Sequence, residues 1–275
     1  MTVKRLCREV GLSRQAYYQD RRARQRRVID EAAVVELVRR ERRLQPKIGG
    51  RKLLVLLRPE WEAEMGIRMG RDLFFELLKR QGLLIQRRRR GGPRTTDARH
   101  RFRTYSNRFR GQAWTAPHQA WVSDLTYVRT EEGWLYVWLI SDAWSRKIVG
   151  YSGEDMLEAE GSLRALAMAM AQLPSGARPL HHSDRGIQYC CHAYIQRLEK
   201  QGIGVSMTEE NHCYENGQAE RVNGILKQEY GLGETFRTKA MSRAALAEAV
   251  SLFNTRRPHM SLGYRIPGEV HETAA

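Results

Sequence analysis

The sequence predicts an α/β domain, a mixed five-stranded sheet with flanking helices, preceded by an all-α region built on helix-turn-helix units. Three observations carry this. Up to about residue 85, apolar residues recur at helical spacing and Gly or Pro interrupts the pattern. From Trp114 onward the texture changes to runs rich in Val, Trp, Tyr and Thr, separated by turns. The charge also divides. Residues 1–110 hold 31 Lys and Arg against 12 Asp and Glu, a net of +19, whereas residues 111–275 hold 16 against 19, a net of −3. The +16 of the 275-residue chain therefore lies wholly in its first part. Such asymmetry marks a polyanion-binding arm, with nucleic acid as the first candidate, joined to a body with another task.

Composition narrows the class. Hydrophobic residues make up 41% of the chain, which excludes wholesale disorder. No apolar run approaches the roughly 20 residues that span a bilayer, so no membrane association is expected. No apolar stretch follows the basic start MTVKRLCREVGLS, so no secretory signal is read and a cytoplasmic location is expected. Cys7, Cys190, Cys191 and Cys213 lack the spacing of a disulfide framework and are read as reduced.

In chain order, residues 3–10 read as a helix, 11–13 as a break and 14–24 as a second helix with Ser13 at the N-cap, a helix-turn-helix pattern. Residues 30–43 give a further helix with Ala33, Val34, Leu37 and Val38 on one face. Gly49 and Gly50 break the chain, 51–57 resume a short helix, and Pro59 is expected to end it. Residues 70–81 form the clearest amphipathic helix, with Leu73, Phe74, Leu77 and Leu78 as its stripe and Gly82 as its stop. The expected domains are a helical region at 1–45, a second helix-turn-helix at 46–85, a basic linker at 86–113 and a catalytic domain at 114–275. The linker carries Arg87, Arg88, Arg89 and Arg90 in succession, then Phe102, Tyr105 and Phe109 among further arginines. Arginines contact phosphates and aromatic rings stack on bases, so this segment is expected to touch DNA and to be disordered without it.

In the body, 119–129, 134–143 and 147–152 read as three strands of an antiparallel meander. A helix at 158–172, a strand at 178–182, a helix at 191–201 and a strand at 203–207 follow. Helices at 217–230 and 242–257 close the chain.

Three acids stand where a carboxylate has no evident structural task. Asp124 lies mid-strand, where Asp is disfavoured. Asp184 follows a strand end in HHSDRGIQY, a usual place for ligands in α/β folds. Glu220 lies on the helix QAERVNGILKQEY. Between Asp124 and Asp184 stand 59 residues, and between Asp184 and Glu220 stand 35. Lys227 follows Glu220 by seven positions, two helical turns along the same face, where a cation can meet a phosphate backbone. Two-metal phosphoryl transfer needs several carboxylates converging on a pair of Mg²⁺ ions.

At these residues the chain resembles the DDE transposases that share the retroviral integrase core, with their D, D-35-E signature and a basic residue at plus seven. More narrowly, it resembles the OrfB-type subunit of bacterial insertion sequences of the family of insertion sequence three. The matching segments are WVSDLTY at 121–127, HSDRGIQY at 182–189, ENGQAE at 215–220 with LKQE at 226–229, and NTRRPH at 254–259 with SLG at 261–263. The LSRQAYY stretch at 12–18 and the Gly50-Arg51 helix entry match as well, so the resemblance runs from about residue 3 to 270. The family usually has Asp-Asn-Ala where this chain has Glu215, Asn216 and Gly217, Ser at Arg221, and Tyr at Phe253.

The resemblance implies an RNase H-like core. Asp124, Asp184 and Glu220 would be ligands of two Mg²⁺ ions, with Mn²⁺ able to take their place. One ion would activate water or a 3′-hydroxyl and the other would stabilise the departing 3′-oxygen. The implied reaction is nicking at an element end, then strand transfer by the freed 3′-OH. The implied partners are double-stranded DNA of the terminal inverted repeats and of the target, further copies of the chain on that DNA, and an upstream-frame OrfA protein or fusion. Lys227, Arg221, Arg257 and His259 join Arg87–Arg90 as expected DNA contacts, and His181 or His182 is a candidate support for Asp184. Zinc is not expected: residues 1–110 hold one Cys and one His, and Cys190, Cys191, His192, His212 and Cys213 lack ligand spacing. Two other functions stay open on the residues: an RNase H-type nuclease without strand transfer, and a catalytically silent DNA-binding regulator.

Overall fold

The computed structural model describes residues 2–85, 101–209 and 213–273, in two compact units. Arg87–Arg90, His100 and His212 lie outside the described residues.

The first unit is all helical: α1 Val3–Glu9, α2 Arg14–Leu44, α3 Gly50–Ala63 and α4 Arg71–Arg80. Ser13 caps α2, its Oγ accepting from the Ala16 N–H at 3.0 Å. The two helices expected at 14–24 and 30–43 are one helix of 31 residues. Residues 25–29 contain no Gly or Pro to break it, and one-turn ion pairs Arg24–Asp20, Arg26–Asp30 and Arg27–Glu31 brace the polar stretch. Nor does Pro59 end α3. It sits on the exposed face, where the carbonyl it leaves unbonded meets water, while fully buried Trp61 anchors the last turn. One core joins Val34, Val35 and Val38 of α2, Leu53, Leu57 and Trp61 of α3, and Phe74, Leu77 and Leu78 of α4, so it draws on both sides of the expected 45/46 boundary. Leu73, expected in the stripe, is exposed.

The second unit is built on a sheet of five strands, β1 Ala120–Thr130, β2 Gly133–Asp142, β3 Ile148–Glu154, β4 Leu180–Ser183 and β5 Gly204–Met207, in the order β3-β2-β1-β4-β5. The first three strands form the expected antiparallel meander, and β4 and β5 run parallel to β1. Helices α5 Ala159–Met170, α6 Ile187–Cys190 and α7 His192–Lys200 cover one face, and α8 Gly217–Glu229 and α9 Lys239–Thr255 the other; α10 Pro267–Thr273 packs on α9. The short α6 and α10 are not foreseen by periodicity, being one or two turns each.

Alternation along the strands sorts two cores. Trp121, Leu125, Trp138 and Ile140 pack against Ala165, Leu166 and Tyr194. Val128, Val137 and Leu139 pack against Val222, Ile225, Leu246 and Phe253. On the first face α5 approaches so closely that a Cβ on Gly161 would stand 2.3 Å from the Trp138 ring. Residues 101–113, expected to be disordered, contain described segments packed on this unit. The Arg108 N–H donates to Ser206 Oγ at 2.9 Å, Phe109 stacks on His182 at 4.8 Å, and Tyr105 lies against the first core. Phe109 and Tyr105 are thereby spent on the protein and not held free for bases. Among the described residues, no helix is long and apolar enough to cross a membrane.

Candidate active site

The parallel pairing of β1 with β4 places the two aspartates. Val122 stands opposite His182. Two residues beyond Val122 stands Asp124, still within β1, and two beyond His182 stands Asp184, just past the end of β4, where the two carboxylates feel each other's charge. Asp124 faces the side covered by α8, and Asn223 of α8 donates from Nδ2 to Asp124 Oδ2 at 2.7 Å. Asn216, just before α8, donates to the Ser123 carbonyl at 3.0 Å and fixes the start of the helix on β1. Glu220 is three residues before Asn223 and Lys227 four after it, so one face of α8 carries all three toward Asp124. Asp184 closes its own turn, its Oδ1 accepting from the Gly186 N–H at 3.0 Å.

The electrostatics match this proximity. Burial raises the Asp124 carboxyl to about 7, the negative charge of Asp184 and of Glu220 adds to the rise, and the Asn223 hydrogen bond opposes it. Glu220, exposed at the surface, is raised by partial desolvation and by Asp184. Lys227 is half-buried and pulled below its ordinary value by desolvation, against the attraction of Asp124. The site is thus a cluster of mutually repelling carboxylates with Lys227 beside Asp124. Among the described residues, no three His, Cys, Asp or Glu side chains converge closely enough to hold a metal ion. The structure assembles the aspartate pair and leaves the flexible Glu220 side chain on the solvent side.

His181 and His182 flank the pair without entering it. His181 Nε2 lies 2.7 Å from Ser123 Oγ and 2.9 Å from Tyr194 Oη, and burial pushes its pKa down to about 3. His182 bridges Ser206 Oγ and the Glu215 carbonyl at 2.9 and 3.1 Å, and burial pushes it down to about 4. Both are neutral cross-links between β1, β4, β5 and the turn before α8. Arg257 corrects an expected DNA contact: it is buried, and its guanidinium forks onto Glu229 at 2.8 and 3.1 Å, tying the end of α9 to the end of α8. Arg221 is exposed beside Glu220, and His259 is half-buried with Nδ1 3.0 Å from Ser261 Oγ. Asn223 is the site residue that the spacing arguments miss. Its signature in the sequence is an amide placed between Glu220 and Lys227 on their common helical face.

Residues 115–213 and 201–267 each match a family model described as an integrase core domain. Over 271 residues the chain is 34% identical to a 31 kDa protein of insertion element IS600 from Shigella sonnei, covering 97% of each. Over 188 residues it is 32% identical to the transposase InsF for insertion sequence IS3A of Escherichia coli (strain K12), covering 68% of this chain and 65% of that one. Among solved structures, the simian T-cell lymphotropic virus intasome in complex with PP2A regulatory subunit B56 gamma aligns with a TM-score of 0.50 at 16% identity, over 82% of this chain and 70% of that chain. That is a likeness of fold. With near-complete coverage by an insertion-element relative and an integrase core over its body, the chain belongs to the IS3-type insertion-sequence transposases.

Proposed function

We propose that Asp124, Asp184 and Glu220 hold divalent metal for nicking at the ends of an insertion sequence and joining of the freed 3′-hydroxyl to DNA. The observation that supports this reading is the mutual charge of Asp124 and Asp184, just beyond the paired stretch of β1 and β4, with Asp124 raised to about 7. Such repulsion is what a bound cation relieves. The donors are all carboxylate oxygens, which suits Mg²⁺ or Mn²⁺ and not zinc. Asp124 and Asp184 are the first ligands, and Glu220 joins by rotating its exposed side chain inward. Two bound ions would supply Lewis-acid polarisation of the phosphoryl group and a water or hydroxyl acidified toward neutral pH.

The chain's own groups do the rest. Asn223 holds Asp124 Oδ2 in one orientation and leaves Oδ1 to the site. Lys227 meets a phosphate oxygen beside the pair, and exposed Arg221 extends that contact along the backbone. In the first unit, helix-turn-helix docking by α1–α2 and by α3–α4 grips the terminal repeats. Exposed Arg21, Arg22, Arg24, Arg26 and Arg27 of α2, with Arg87–Arg90, neutralise duplex phosphates. Because two DNA ends must be brought together, the active form is an assembly of several copies on DNA, with an upstream-frame OrfA protein as a further partner.

Duplex oligonucleotides carrying the element's own ends test the reading. The wild-type chain with Mg²⁺ should yield nicked and joined products. Asp124→Asn and Glu220→Gln should yield neither, roughly a hundredfold or greater loss, while binding DNA as before. Nicking without any joined strand would leave a nuclease, and activity surviving either substitution would refute the site.

A further inference from the structure

A cleft of about 660 Å³ opens in the second unit beside the site just described. Its walls come from the segment before β1, the β2–β3 turn, the first turn of α8 and residues 261–270. The lining includes Arg146 and Arg265, the rings of Trp114, Trp144 and Phe109, and no acid. Two cations and two indole rings, with Phe109 backing Trp114, suit a small ligand that is anionic at one end and a flat ring at the other.

The cleft is built, not incidental. Asp142, fully buried at the end of β2, accepts from the N–H groups of Trp144 at 3.1 Å and Ser145 at 2.7 Å, and from Ser145 Oγ at 2.8 Å. That fixes the turn which presents Trp144 and Arg146. Arg146 takes a left-handed backbone, φ 67°, uncommon for a side chain of its size. Its Nη1 donates to Gln218, while its Nε and the Trp114 Nε1 are buried with no protein acceptor. The cleft is also connected to the carboxylates. Gln218 stands two residues before Glu220 on α8. On the other side, Trp114 packs on Phe109 at 5.4 Å and Phe109 stacks on His182, two residues before Asp184. Helix α8, which carries Glu220, therefore lines the cleft directly, and β4, which leads to Asp184, touches its wall through Phe109.

We infer that the cleft receives one unpaired nucleotide of the DNA strand at the active site, its phosphate against Arg146 and Arg265 and its base against Trp144 and Trp114. The inference rests on the proposed action on DNA, and it adds a subsite that grips a strand end no longer paired. A phosphate takes two N–H bonds from a guanidinium fork, and a base of any sequence stacks on an indole.

Fluorescence anisotropy on the full chain tests it, with labelled blunt duplex, the same duplex extended by three unpaired nucleotides, and dAMP as competitor. The extended duplex should bind about tenfold tighter than the blunt one, the gain of one stacked and phosphate-held nucleotide. Arg146→Asn, which keeps a residue at ease in the left-handed backbone, and Arg265→Gln on a separate segment should each remove most of that preference while blunt-duplex binding stays within twofold. Millimolar dAMP should erode the preference in the wild-type chain alone. No preference in the wild-type chain, equal weakening of both duplexes by the variants, or dAMP binding without any preference for the extension would each overturn the inference. Nicking and joining by the wild-type chain, followed in parallel, tests the DNA-processing reading separately.

Discussion

In the first unit Arg24, Arg26 and Arg27 pair with Asp20, Asp30 and Glu31 one turn away on the same helix. In the second, Arg257 pairs with Glu229 across two helices, at 2% and 12% side-chain exposure. The donor and acceptor types are the same, but the surroundings decide what each pair does. An exposed pair is screened by water and salt, so it barely stabilises the fold and leaves its guanidinium available to a phosphate. A buried fork has no such freedom, and its value lies in what breaking it costs. Among the described residues of the first unit, Glu41 is buried and Arg42 carries its Nε and Nη2 inside, while the other charged residues keep to the surface or its edge. The second unit places Asp142 and Arg257 inside, desolvates Asp124, and organises its turn and its helix ends around them.

The buried and the exposed pairs differ most at Glu229. Glu229→Ala leaves the Arg257 guanidinium buried, without its carboxylate and unable to shed its proton. Urea unfolding should show a loss of roughly 3–5 kcal/mol. Adding Arg257→Leu should recover a good part of that loss, because it removes the stranded charge. A loss below about 1 kcal/mol in the single variant would place this pair with the surface pairs of α2.

Asp124 sharpens the same contrast through pH. Its folded pKa is raised to about 7 from 3.8, so the native carboxyl holds a proton that the unfolded chain has released. Stability of the metal-free protein should therefore be intact below about pH 4 with respect to this group. It should fall as pH rises toward 7 and stay reduced above it. Asp124→Asn should abolish that fall and raise metal-free stability at pH 8 by about 2–4 kcal/mol. Mg²⁺ should stabilise the wild-type chain at pH 8, more than at pH 5, and Asp124→Asn much less. Thermal unfolding at the two pH values reads all of this, and a wild-type chain whose stability ignores both pH and Mg²⁺ would contradict the buried-carboxylate account.

Asn223 gives a smaller effect on the same group. Its hydrogen bond lowers the Asp124 pKa against burial and repulsion. Asn223→Ala should raise that pKa further, move the acidic limb of the pH–activity profile upward and cost about 10–100-fold in activity, as loss of a partner to a metal ligand does. Asn223→Asp should be worse, adding a fourth carboxylate to the cluster. A loss of rate with no shift of the profile would mean that Asn223 only packs.

Much of this was legible in the sequence, and the exceptions share a cause. The places of Asp124, Asp184, Glu220 and Lys227 are legible because a strand, a strand end and a helix face are linear patterns with fixed spacing; their proposed roles await the substitutions above. The meander and the helices α5, α7, α8 and α9 were readable because each buries one face against the sheet. Periodicity does not show that α2 is continuous, because residues 24–29 bury no apolar side chain, Val28 and Ile29 being exposed, and only the absence of a breaker speaks there. Arg257 was misplaced because two adjacent arginines in NTRRPH look alike in one dimension, and only the turn after α9 decides that the second points inward. The cleft has no linear signature at all. It is made by segments far apart in the chain and by backbone at Arg146 and Tyr264, both with φ of 67°, that no propensity favours.

The smallest expected effect lies on α2, and it decides whether the exposed pairs serve the fold or the ligand. Arg26 pairs with Asp30 at 3.0 Å with its side chain 67% exposed. Arg26→Gln should change stability by less than about 0.5 kcal/mol, since an exposed one-turn pair contributes no more than that. If Arg26 also neutralises a duplex phosphate, the same substitution should reduce the slope of log affinity against log salt by about 1. Affinity itself should fall alike for every DNA sequence, because a phosphate contact carries no base information. Titrations at several salt concentrations separate the outcomes. An unchanged slope with lost stability would make α2 a structural strut braced by its own ion pairs. An unchanged stability with a shallower slope would make its arginines the ones that hold DNA, the opposite use to that of Arg257.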